Sequence, residues 1–113
     1  MGQDQRRQHR LGVELEMRVS GTDRYGLPFE ETTSSDDVSR GGCSFHASHE
    51  VNTGSELELE ILRPGVGRRA PTPFLTKGVV LRAINTGPDQ YKVSVEFTGP
   101  HFPTYSSETT AGR

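Results

Sequence analysis

Three stretches of this 113-residue chain alternate apolar and polar residues with a period of two, and that period limits what the chain can fold into. In the first, Leu11, Val13, Leu15, Met17 and Val19 fall on one face, with Gly12, Glu14, Glu16 and Arg18 on the other. In the second, Leu57, Leu59 and Ile61 alternate with Glu56, Glu58 and Glu60. In the third, Tyr91, Val93, Val95 and Phe97 share a face. Successive side chains of a strand point to opposite sides, so this spacing predicts half-buried strands. A helix would need apolar residues three and four apart, and no stretch here supplies them. Turn chemistry separates the runs: "SGTDRYG" at 20–26, "NTGS" at 52–55, "RPGVGRRAPTP" at 63–73 and "NTGPD" at 85–89. Three more extended segments complete the pattern. One passes through Leu27 and Phe29 into a Thr/Ser-rich stretch, one reads Cys43, Phe45, Ala47, and one spans about residues 74–84.

Six short strands predict an all-β fold, either a closed antiparallel barrel or a sandwich, and closure leaves fewer exposed edges. One domain is expected, with residues 1–10 a flexible entry segment, 11–98 the β-domain, and 99–113 a tail that is disordered or only partly packed. Composition narrows the function. A formal net charge of −2 argues against bulk binding to nucleic acid or to an anionic membrane. No apolar run approaches the length of a membrane span, and the N-terminus lacks the apolar core of a signal peptide. The single cysteine, Cys43, has no internal disulfide partner, so the expected location is a reducing cytoplasm. It falls on an apolar face and reads as a small buried hydrophobe rather than a nucleophile.

Against that near-neutral balance, "RRQHR" at 6–10 carries three arginines in five positions, and "DVSRGG" at 37–42 holds a D-x-S-x-x-G pattern. Arg6 and Arg10 stand four apart ahead of the first strand; Asp37, Ser39 and Gly42 lead into the third. Read singly, the first is a basic terminus and the second an Asx- or Ser-type turn. In this order and strand context they resemble the PilZ domain. The stretch "TKGVVLRAINTGPDQYKVSVEF" at 76–97 is similar to that family's closing hairpin, and the resemblance covers about residues 6–97. It implies a six-stranded antiparallel barrel, with a C-terminal helix short or absent because "TGPHFPTYSSETTAGR" is poor in helix formers.

The resemblance also implies a receptor for cyclic di-GMP that acts on a downstream protein partner, with no further cofactor. The ligand presents two phosphates and two guanines. Arginine suits both, because its planar fork bonds phosphate or the guanine O6/N7 edge and stacks on purine faces. On that basis Arg6 and Arg10 contact phosphate and guanine, with Arg7 assisting, and Asp37 accepts from guanine's N1–H and amino group. Ser39 bonds nearby or holds the turn, Arg40 adds charge, and Gly42 permits a positive φ and a close approach to a flat base. Ligand binding is expected to order residues 1–10 and so to change the surface offered to the partner.

Other constellations carry less. "HASHE" at 46–50 offers His46, His49 and Glu50 with Cys43 near, but residues three apart on a strand face opposite ways, so no metal site is expected. Glu56, Glu58 and Glu60 lie on the solvated face of their strand. "GRRAP" at 67–71 is a solvated loop or an extension of the anion site. No nucleophile, base and orienter come together, so an enzyme is not expected. The alternatives are a ligand-independent interaction module on the same barrel, and a barrel binding single-stranded nucleic acid. The latter wants aromatics on a groove and a basic stripe, for which eight aromatics and no Trp are poor material.

Overall fold

A computed structural model describes residues 14–65 and 67–103. Six strands follow in chain order: β1 (Glu16–Thr22), β2 (Pro28–Ser39), β3 (Gly42–Ala47), β4 (Glu56–Arg63), β5 (Thr72–Gly87) and β6 (Gln90–Phe97). They close into a barrel in the order β1-β2-β3-β6-β5-β4, with every neighbouring pair antiparallel. The barrel, rather than the sandwich, is the outcome, and among the described residues there is no helix.

The alternation seen in the sequence is what closure buries. Met17, Val19, Leu57, Leu59, Ile61, Val93, Val95 and Phe97 all point into the core, with Phe45 and Val38 completely covered. The first strand enters its ladder through Leu15, whose N–H donates to Ser35 Oγ (2.9 Å) and whose carbonyl accepts from the Ser35 N–H (2.9 Å). Leu11 and Val13, also expected on that inward face, lie outside the described residues.

Two boundaries differ from expectation. β1 continues to Thr22, so the first turn shrinks to Asp23–Leu27, where Asp23 Oδ1 accepts from the N–H groups of Tyr25 (2.8 Å) and Leu27 (3.0 Å). The sixteen-residue β5 outgrows the predicted segment because it serves two neighbours. Thr72–Val79 pairs with β4, while Gly78–Gly87 pairs with β6, and an irregularity between Val80 and Arg82 re-aims the strand between them. Alternation alone cannot reveal such a hand-over, because each half keeps its own period.

The expected tail from residue 99 is packed as far as the description reaches. Phe102 is buried and meets Phe74 edge-on, with ring centroids 5.2 Å apart. The Phe102 N–H donates to the Arg40 carbonyl (3.0 Å), and Thr76 Oγ1 donates to the Pro100 carbonyl (2.6 Å). A single aromatic ring had an open place at the barrel's end, which local composition could not register. Residues 104–113 lie outside the described residues.

Antiparallel order fixes what gathers at that end. β1, β3 and β5 begin there, and β2, β4 and β6 finish there. The entry into β1, the β2–β3 turn, the β4–β5 loop and the segment after β6 are therefore neighbours.

Candidate functional site

The D-x-S-x-x-G pattern does not lead up to a strand, as expected, but straddles a tight hairpin. Asp37 and Ser39 close β2 and Gly42 opens β3, paired as Asp37 with Ser44, Val38 with Cys43, and Ser39 with Gly42. A β-bulge between Ser35 and Asp37 precedes it. The bulge reverses the facing of β2. Ser35 and Val38 are both fully buried, which strict alternation from 35 to 38 would forbid, and Asp37 and Ser39 therefore emerge on the barrel's outer side.

Each motif residue then has a definable place. Ser39 is buried, and its hydroxyl donates to the Gly42 carbonyl (3.2 Å), so it holds the hairpin closed. Gly42 is not among the glycines with positive φ, which corrects the expectation based on turn conformation. Its missing side chain matters for another reason. A Cβ there would lie 2.4 Å from the Val95 carbonyl oxygen, a backbone atom of the neighbouring strand that cannot step aside. The motif glycine thus lets β3 and β6 approach each other. Arg40 is exposed at the turn, and its backbone carbonyl is tied down by Phe102. Arg6, Arg7 and Arg10 lie outside the described residues.

The pairing also exposes residues that the sequence did not single out. Ser44 sits between Cys43 and Phe45, both core-facing, so its own side chain lies on the outer side with Asp37. It is nevertheless buried (5% exposed), and its Oγ has no hydrogen-bond partner. Leaving a buried hydroxyl unpaired costs about 1–3 kcal/mol. The register carries the same row further: Ser44 pairs with Ser94 on β6, and Ser94 with Arg82 on β5. A bulged pairing and a cross-strand register are needed to assemble that row, and no local motif encodes either.

Burial pushes the Cys43 thiol up to about 12, and the nearby Asp37 charge adds to the effect. The thiol therefore stays protonated at neutral pH, as expected of a core residue. The two histidines of "HASHE" find carboxylates rather than a metal cluster. His46 Nδ1 lies 3.3 Å from Asp36 Oδ2, which Lys92 also approaches at 3.2 Å. His49 Nδ1 lies 2.5 Å from Glu31 Oε1 and its ring stacks on Phe29. Among the described residues no group of His, Cys, Asp and Glu is arranged to hold a metal ion.

The opposite side of the barrel carries a shallow groove of about 590 Å³, lined in part by Arg18, Glu58, Glu60, Leu75, Lys77 and Pro100. Arg18 bridges Glu30 (3.3 Å) and Glu60 (3.9 Å) there. The acidic row of β4 stands outward, as its alternation predicts.

A closed six-stranded barrel with a Ser-stapled hairpin and a polar outer row defines a small β-barrel module. The chain belongs to the PilZ family: the PilZ domain matches residues 4–106. Its fold is similar to that of the Bacillus subtilis inhibitor of motility (MotI/DgrA), with a TM-score of 0.67 at 19% identity. That likeness covers 91% of this chain and 46% of the other, so the chain spans about half the length of the protein it matches. No curated protein is significantly similar in sequence.

Proposed function

We propose that this chain is a receptor for cyclic di-GMP, binding it between the N-terminal arginines and the Asp37–Gly42 hairpin. One observation supports the reading: the described chain enters β1 at the same end of the barrel as the Asp37–Gly42 hairpin. Leu15 is bonded to Ser35, two residues from Asp37, and Arg10 is only four residues from Glu14. Covalent geometry keeps the Arg10 Cα within about 14 Å of the Glu14 Cα. On this reading Arg10 and Asp37, far apart in sequence, serve one ligand.

The roles follow from chemistry. Arg6, Arg7 and Arg10 supply forks for phosphate and for guanine O6/N7. Asp37, on the outer side of the hairpin, accepts from a guanine donor edge, which gives an acidic residue a purpose beside an anionic ligand. Ser39 and Gly42 set the hairpin's shape, and Arg40 adds charge at its tip. Three neighbouring positive charges repel one another in the free chain, and a ligand with two negative charges relieves that repulsion. Binding then orders the entry segment at a cost in backbone entropy and changes the surface shown to a protein partner. The chain acts as an adaptor, not an enzyme.

Calorimetric titration of cyclic di-GMP into the full chain tests the reading. Saturable binding that weakens as salt is raised is expected. Absence of binding would leave the ligand-independent interaction module as the function of this barrel.

A further inference from the structure

The outer row Asp37, Ser44, Ser94, Arg82 crosses four strands side by side. At about 4.8 Å between strands, it runs about 14 Å along the barrel surface from the hairpin to β5. Only Asp37 belongs to the family's motif. Two features of the remainder point to a ligand. The first is Ser44 Oγ, buried and without a hydrogen-bond partner, beside Asp37. The second is Arg82, which is exposed and, among the described residues, has no carboxylate in ion-pair range. On the neighbouring β6, the outward Lys92 is already held by Asp36 at 3.2 Å. An anion brought against Asp37 and the outward Glu96 needs local positive charge, and Arg82 stands at the row's far end to supply it.

We propose that Ser44 and Arg82 form a second contact region for the same ligand, reached across β3 and β6 rather than through either motif. Arg82 takes a phosphate of cyclic di-GMP with its guanidinium fork, and the Ser44 hydroxyl gains from the ligand the hydrogen bond it lacks in the free protein. This rests on the cyclic di-GMP reading above. The bulge between Val80 and Arg82 is what makes it possible, since it brings Arg82 into register with the outward Ser94.

Titration of cyclic di-GMP into the full chain and into its Arg82→Ala, Arg82→Lys and Ser44→Ala variants decides the matter. Arg82→Ala should weaken binding about tenfold or more, by an amount that shrinks as salt is raised. Arg82→Lys should fall between, because it keeps the charge and loses the fork. Ser44→Ala supplies a separate readout: the free protein should melt no lower than the parent, while its ligand-induced rise in melting temperature becomes smaller. A parent that binds while both Arg82→Ala and Ser44→Ala bind equally well would overturn this second contact region and leave the motif-based reading intact. A parent that does not bind at all would overturn both.

Discussion

The two outer sides of this barrel differ in the polar groups they offer. The groove between β1, β4 and β5 has a volume of about 590 Å³, and its Arg18 already bridges Glu30 and Glu60. Those side chains are largely exposed, so the pairs are weak. The hairpin side carries, among the described residues, a buried hydroxyl without a hydrogen-bond partner at Ser44 and an exposed guanidinium without an ion pair at Arg82. A buried hydroxyl without a partner is costly, so a polar ligand that supplied one would gain affinity.

Phe102 joins the two sides, because its segment runs from the groove at Gly99 and Pro100 to the hairpin at Arg40. Phe102→Ala should therefore damage both at once, lowering stability by about 3–5 kcal/mol in a denaturant titration. A change confined to ligand binding would show that the segment serves only one side. Gly42→Ala should act locally, since its Cβ meets the Val95 carbonyl. A loss of about 1–3 kcal/mol is expected from forcing β3 and β6 apart, with ligand affinity falling in parallel. A fully stable variant would mean that β6 yields more readily than the packing suggests.

Asp37→Ala sharpens the contrast further. It should cost about tenfold or more in cyclic di-GMP affinity, about 1.4 kcal/mol, and should narrow the preference over cyclic di-AMP. Equal preference before and after substitution would remove Asp37 from base recognition. On the other side, Arg18→Ala should change stability by less than about 1 kcal/mol and leave cyclic di-GMP affinity unaltered. Weakened binding in that variant would place the groove in the ligand site and collapse the distinction.

By itself the sequence determined the strands, their inward faces and the closing hairpin, because a period of two is a local property that burial of one face turns into a barrel. Met17, Leu59 and Val95 could be assigned to the core from spacing alone, and the order of "RRQHR" and "DVSRGG" was enough to suggest the family. Tertiary structure decided what depends on register and on distant neighbours. The bulge that turns Asp37 outward, the row that links it to Ser44, Ser94 and Arg82, and the carbonyl of Val95 that requires glycine at 42 all arise from pairing between strands. So does the place that Phe102 fills beside Phe74. Nothing within a few residues of these positions encodes them, since a bulge shifts the facing of all that follows and a packing vacancy exists only once the barrel has closed.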